Sequence, residues 1–590
     1  MAEALISPGV FLRENDQSQI TAGPITVGSA LIGPTVTGKV NVPTLVTSYS
    51  EYKAKFGTTF ISGGNTQEYL TSQAAYNYFQ QGGTSLLVTR VASGSYTAAT
   101  SSTIINSLGS ASFELATLSV GTVMNNNQGA TSAVNGVLPS GSADNIRWQI
   151  TQADSGSGYF TLLIRQGNDY TAGQTILETW TNLSLDPNQN NYVAYVIGDQ
   201  TQNVAYDENG LAYLQTTGSY ANQSRYVRVS NVFTPTPNYL NPQGQAVAAY
   251  TASLPLNGSG SANGAFGGAT GALYGGLMTN GSSSAPLNLF EAIPAVAATT
   301  PANNIQGLIN SDYDTAIDLL ANVDAYVYNA IYAPGLTNQN GPNQVSAMLA
   351  TAQNRGDNIA VVDLVSYGQN VTTVSVAAQS YDNSYGATYW PWVQIRSTET
   401  GRLHFVPAST VIPGVYEYND KVSAEWFAPA GLNRGGLPTV IQPEYRLTVN
   451  QRNTLYGAKV NPIAVFPGQG TVVYGQKTLQ ARASALDRVN VRRLLIALKG
   501  YIGQIAQTLV FEQNTAVTRN KFLSQVNPYL EYVQQRQGLY AFRVVMDETN
   551  NTPDVIDRNL LVGAIYLQPT RTAEYIQLDF NILPTGVTFG

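Results

Sequence analysis

Val323-Asp-Ala-Tyr-Val-Tyr, a helical pattern over Asn343 to Asn354, and then Ile359-Ala-Val-Val-Asp-Leu-Val decide the fold. The first run is strand-like. The helical pattern follows Gly341-Pro342 and ends near Gly356. The last run is continuously apolar, as a strand covered on both faces must be. Strand, helix and strand in that order favour a partly parallel sheet covered by helices. Toward the N-terminus the pattern repeats. Pro24 opens a strand-like run, Ile25 to Gly33, and Tyr49 to Phe56 reads as a short helix capped by Ser48 and stopped by Gly57. Thr66 to Gln81 reads as a helix ended by Gly82-Gly83, and Ser85-Leu-Leu-Val-Thr-Arg-Val as a buried strand.

These two parts, 21–95 and 300–480, are expected to form one α/β core. Between them the character changes. Tyr159-Phe-Thr-Leu-Leu-Ile-Arg and Tyr192-Val-Ala-Tyr-Val-Ile are strand-like, and turn residues recur between such runs. Residues 96–299 therefore read as an inserted, mostly-β outer domain. No charged residue lies between Arg228 and Glu291, and Asn257-Gly-Ser-Gly-Ser-Ala-Asn-Gly-Ala-Phe-Gly-Gly reads as a flexible loop.

Toward the C-terminus, 481–590 form a further domain. Over Asp487 to Phe511 the residues Leu494, Leu498, Ile502, Ile505 and Leu509 fall on one helical face, with Arg488, Arg492, Arg493 and Lys499 near the start. A second helical segment carries Phe522, Val526, Leu530 and Val533; Pro528 is expected to kink or divide it. Strands are expected over Leu539 to Met546 and Leu560 to Leu567, with a short helix after Thr552-Pro553. From Tyr575 to Ile582 the pattern alternates, with Ile576, Leu578, Phe580 and Ile582 on one face. The first twenty residues read as an arm: Pro8-Gly9 marks a turn and Val10-Phe11-Leu12 a short extended stretch. The expected class is multidomain α+β: an α/β core, an inserted mostly-β domain, and a C-terminal domain with a helix pair and a small mixed sheet. Extended arms close both ends.

Composition narrows the chemistry. The 590 residues include 29 Lys+Arg and 36 Asp+Glu, only 11 % charged, with a net charge of −7. That gives no broad basic field for nucleic acid. There is no cysteine and one histidine, His404. Thiolate sites and two-histidine metal sites are thus excluded within one chain, and neither metal nor cofactor is expected. No apolar run reaches 18 residues, and the N-terminal residues lack a basic segment followed by an apolar one, so neither a membrane span nor a secretory signal is expected. A surface with little charge and many Tyr and Asn residues suits a protein covered by its own copies.

The catalytic candidates are weak. Gly470-Thr-Val-Val-Tyr-Gly-Gln-Lys-Thr478 approaches a phosphate-binding loop, but Gln476 separates Gly475 from Lys477, and Val472 and Val473 favour a strand. His404 has no Gly-x-Ser-x-Gly elbow to serve. Asp554 and Asp557, with Asp547-Glu548 nearby, read better as helix-start and ion-pair carboxylates, with Arg558 and Arg571 as partners, than as an acid–base pair. Arg488, Arg492 and Arg493 lack the interleaved aromatics of a nucleic-acid site and fit a protein partner with an acidic surface better.

The C-terminal section resembles the contractile tail sheath proteins of bacteriophages. The resemblance rests on Val489-Asn-Val-Arg-Arg-Leu-Leu, Leu509-Val-Phe-Glu-Gln-Asn, Gly538-Leu-Tyr-Ala-Phe-Arg-Val-Val-Met-Asp-Glu-Thr-Asn-Asn-Thr-Pro, Ile556-Asp-Arg-Asn and Gln568-Pro-Thr-Arg-Thr-Ala-Glu-Tyr-Ile. Ser7-Pro-Gly-Val, Tyr389-Trp-Pro-Trp-Val, Ala428-Pro-Ala-Gly and Gly470 to Leu479 extend it. The resemblance implies a non-enzymatic virion subunit, assembled in the host cytoplasm. Such subunits stack as hexameric rings around a tail tube and contract on a baseplate signal. The partners implied are neighbouring sheath subunits, the tail tube protein, and baseplate and tail terminator proteins. Inter-subunit arms would be Pro8, Gly9, Val10, Phe11 and Leu12 at one end and Ile576, Leu578, Phe580 and Ile582 at the other. Arg488, Arg492, Arg493 and Lys499 would face the tube. The alternatives are a glycan-binding virion protein and the sheath of a phage-derived bacteriocin or injection system.

Overall fold

The computed structural model describes residues 25–62, 65–92, 98–101, 104–120, 146–166, 169, 173–260, 308–575 and 577. Both expected arms, Pro8 to Leu12 and Ile576 to Ile582, fall outside these residues except for Gln577, as do residues 261–290 of the uncharged stretch.

The core is built on a six-stranded sheet. Its order across the sheet is Gly386–Ala387, Ile359–Asp363, Tyr326–Thr337, Ile25–Gly33, Leu86–Arg90 and Thr44–Val46. The first five run parallel and the last is antiparallel. Leu86–Arg90 and Ile359–Asp363 are buried at every position, which is why they read as unbroken apolar runs. Helices Leu70–Gln80, Asp314–Leu320, Pro342–Arg355 and Val371–Gln379 lie between the parallel strands in the chain. Pro342 opens its helix, and Gly356 ends it at φ 72°, a left-handed conformation that glycine takes without strain.

Between Arg90 and Asn310 the chain leaves the sheet. Strands Ile146–Asp154, Tyr159–Gln166, Ile176–Ser184 and Gly258–Gly260 make one antiparallel sheet. Ala98–Thr100, Ile104–Ile105, Ala111–Val120 and Val227–Val232 make a second. They enclose their own core, with Phe113, Trp148, Phe160, Leu162 and Ile164 at its centre. A third core in the C-terminal section gathers Leu494, Leu498, Phe522, Val526, Leu530 and Val533.

Four local expectations change. Thr66 does not start a helix: Asn65–Glu68 pairs with Thr59–Ser62 as a hairpin, and the helix begins at Leu70. The buried Glu68 carboxylate accepts from Ser72 Oγ at 2.9 Å and from Ser397 Oγ, tying the hairpin to a distant turn. Val193–Ile197 is a helix, not a strand, and Gly198 at φ 101° ends it. A short apolar run carries no periodicity to separate the two. Ala516–Gln535 is one continuous helix through Pro528. The small C-terminal sheet is, among the described residues, only two antiparallel strands, Leu539–Val545 and Ala564–Pro569.

Candidate assembly surface in the C-terminal section

Helix Val489–Gln507 organises this region. It does not present a single apolar stripe. Val489 and Ile496 belong to the α/β core, while Leu494 and Leu498 belong to the C-terminal core. The helix is the shared wall between the two.

This position decides what its cations do. Arg493 is 4 % exposed and forms a bidentate pair with Asp420, at 2.9 and 2.5 Å. Its guanidinium lies 4.7 Å from the centre of the Tyr416 ring, whose hydroxyl is 2.8 Å from that of Tyr389. Arg492, also 4 % exposed, donates to the Ser384 carbonyl and hydroxyl and stacks 3.9 Å from the Tyr385 ring centre. Arg488 forms a second bidentate pair, with Glu574 at 2.6 and 3.0 Å. Burial works against the Glu574 carboxylate, yet Arg488 holds it below the usual range. Lys499 is exposed and donates to Tyr385 Oη at 3.1 Å.

The expectation of an open cationic cluster therefore does not describe Arg492 and Arg493. A guanidinium that leaves water needs a carboxylate or an aromatic face, and both have found theirs inside the chain. In a sequence with so few charges, two adjacent arginines within the apolar run Val489 to Leu494 were the signal of a buried clamp. Asp420, distant in sequence, carries no such mark.

Two more carboxylates face the same guanidinium. Burial and the neighbouring Asp420 push Glu417 up to about 7, against the pull of Arg493. Glu417 Oε1 accepts from Asn329 Nδ2 at 3.3 Å. Glu425 is also raised, by burial first and Asp420 second.

Beyond the clamp lies the outer surface. Leu539–Val545 pairs with Ala564–Pro569 and, among the described residues, with no other strand, so each has an unpaired outer edge. Tyr540 and Tyr566 are about two-thirds exposed at 65 % and 62 %. At the turn between the two helices, Val510, Phe511 and Val517 are exposed, and Phe511 adopts a left-handed φ of 70°. Exposed strand edges and large apolar side chains are liabilities unless something covers them.

The chemical candidates dissolve into structure. Gly470–Val473 is a strand paired with Asn461–Phe466. Gln476 Nε2 donates to Thr572 and Glu574, and Lys477 sits 4.6 Å from the Tyr456 ring centre. His404 lies within strand Leu403–Val406 opposite Ile395, with its pKa lowered by burial and then by Arg402. Asp554 pairs with Arg558 at 3.0 Å on the open surface. Among the described residues no group of three or more His, Asp or Glu is placed to hold a metal, and no helix is long and apolar enough to cross a membrane.

Residues 307–479 match the phage tail sheath protein central domain, and residues 482–582 the phage tail sheath C-terminal domain. Both regions carry phage tail sheath domains. The tail sheath protein of Vibrio phage KVP40 is 43 % identical over 188 residues, covering 32 % of this chain and 28 % of that relative. The tail sheath protein of Enterobacteria phage T4 is 38 % identical over 224 residues, covering 38 % of this chain and 33 % of that relative. The match thus spans about a third of the length of these sheath proteins. A crystal structure of the sheath tail protein from Listeria innocua shares the fold over 90 % of each chain, with a TM-score of 0.50 and 10 % identity. The central sheath domain holds Asp420 and the C-terminal sheath domain holds Arg493, so the clamp joins the two.

Proposed function

We propose that this chain is the repeating subunit of a contractile phage tail sheath, stacked as hexameric rings around a tail tube. The observation that supports this best is the two-stranded sheet at the end of the C-terminal sheath domain. Its unpaired edges offer a row of backbone donors and acceptors, and strand addition from neighbouring subunits would complete it. Arms that pair through backbone hydrogen bonds keep subunits joined while the linkers beside them bend. The subunit then needs two packings of different free energy separated by a barrier, and no nucleotide.

In this reading the inserted β section is the outer layer and the C-terminal section lies toward the tube. Lys499 remains a tube-facing candidate, and Arg488 a partial one. Arg492 and Arg493 serve the subunit itself. The further partners are baseplate and tail terminator proteins, and the location is the virion after assembly in the host cell.

Negative-stain microscopy of the purified full chain tests the reading. Striated hollow tubes or stacked rings are expected. A strictly monomeric species at high concentration would overturn it. Titration of Mg-ATP into the same protein is expected to release no binding heat, because the Gly470 to Thr478 loop is a strand followed by a turn held by side chains. Binding heat that vanishes on Lys477→Ala would reverse that expectation.

A further inference from the structure

In a cleft between the α/β core and the inserted β section, every charged residue of the described lining is a cation. One chamber, about 360 Å³, has Lys39 and Arg228 in its wall. A second, about 760 Å³, has Lys39, Lys55 and Arg225. The two share Lys39, Val42, Leu118 and Gln202, and Lys39 Nζ donates to Gln202 Oε1 at 3.2 Å. Among the described residues no Asp or Glu lines either chamber, in a chain where acids outnumber bases by 36 to 29.

On the rim, Lys55 is matched by Glu51 at 2.8 Å. Lys39 and Arg228 have no such match: no carboxylate lies within ion-pair distance of either among the described residues. Arg228 Nη1 reaches only the Asp199 backbone carbonyl, at 3.4 Å. The acids nearest Arg228 are engaged elsewhere. Glu114 accepts from Ser230 Oγ at 2.6 Å, and Asp199 Oδ1 accepts from the Tyr220 amide at 2.7 Å. Burial lowers the pKa of both cations; Arg228 lowers Lys39 further, while the Asp199 and Glu114 carboxylates offset part of the shift at Arg228. Asn41, in the same wall, has a buried Oδ1 with no hydrogen-bond partner among the described residues.

We propose that the chamber between Lys39 and Arg228 binds a small polyvalent oxyanion of the phosphate class. Two cations in one wall suit a dianion, and charge-assisted hydrogen bonds to it are stronger than neutral ones. Lys39 comes from the core and Arg228 from the insert, so a bound anion replaces repulsion between the two with a shared partner. Occupancy then fixes the insert on the core.

The test is thermal unfolding of the full chain in sodium phosphate against sodium chloride of equal ionic strength, at pH 7.5. Phosphate stabilises proteins generally, without saturation, by exclusion from their surfaces. The readout is therefore the saturating excess of wild type over variants. A rise of about 2–4 °C is expected at saturation, lost in both Lys39→Met and Arg228→Met and partly kept in Arg228→Lys. In chloride, Lys39→Met is expected to melt no lower than wild type, because it removes a repulsion. Equilibrium dialysis of wild type against radiolabelled phosphate, which needs no variant, is expected to find one site per chain. No saturable binding at millimolar phosphate, or the same excess in Lys39→Met, would overturn the proposal.

Discussion

Phe580→Asp, and separately removal of residues 1–18, leave a folded and soluble subunit that builds no tubes. The expected effect is all-or-none in negative stain, because a helical lattice needs every coupling along its length. The argument starts from alternation. The alternation from Tyr575 to Ile582 calls for a strand with Ile576, Leu578, Phe580 and Ile582 on one face, and such a face is stable only against a sheet. The sheet available in the C-terminal section has two described strands with free edges. A two-stranded sheet is marginal by itself and gains stability from added strands. An Asp at position 580 carries a charge onto the face that must be buried, at a cost of several kcal/mol unless it is neutralised. By their sequence Val10, Phe11 and Leu12 are expected to supply a second such strand from the opposite end of the chain. Circular dichroism and gel filtration establish that the altered subunits are folded, and microscopy then counts tubes. Tubes of normal length after both changes would show that the ends are not the couplings.

Legibility in the sequence followed the range of the forces involved. Ile359 to Val365 read as a buried strand because both of its faces are covered, so its pattern needs no knowledge of its neighbours. The helix over Tyr49 to Phe56 read true because its Ser48 cap is local, with Oγ accepting from the Glu51 amide at 3.1 Å. Thr66 to Glu68 read wrongly although the pairing that decides it is local, with Thr59 to Ser62: Gly63-Gly64 is a hairpin-turn signal that outweighs the helical reading. Val193 to Ile197 failed for want of length. The candidate site divided in the same way. Leu494 and Leu498 declared themselves by spacing, but the second face of their helix, through Val489 and Ile496, is defined by a core assembled from distant segments. A stripe shows that a helix is buried on one side. It is silent about a second side until the partner is known. Arg492 and Arg493 were assigned to a partner outside the chain for that reason.

Arg493→Met is expected to cost the subunit about 3–5 kcal/mol at pH 8, the range for removing one member of a buried pair. The methionine fills much of the space, so the loss is electrostatic. Without the guanidinium, Asp420 faces Glu417 and Glu425 with no cation between them. The pH dependence separates this from simple loss of packing. Glu417 titrates at about 7 in the folded subunit against an ordinary 4.5, so between those values the folded state binds more protons than the unfolded state. Stability from its neutral form is fully present below about 4.5 and is lost as pH rises through about 7. Glu425, shifted upward too, has the same sign. Asp363 and Glu444, each pushed up to about 7 chiefly by burial, add to the slope in wild type but do not face Arg493. Arg493→Met should therefore be mild at pH 5, where Glu417 and Glu425 take up protons, and severe at pH 8. Urea unfolding of wild type and variant at the two pH values reads the difference directly. Glu417→Gln in the Arg493→Met background should recover part of the loss at pH 8 and little at pH 5. An equal loss at both pH values would mean that Glu417 and Glu425 do not depend on Arg493, and that its pair with Asp420 and its stacking on Tyr416 hold the two sheath domains together.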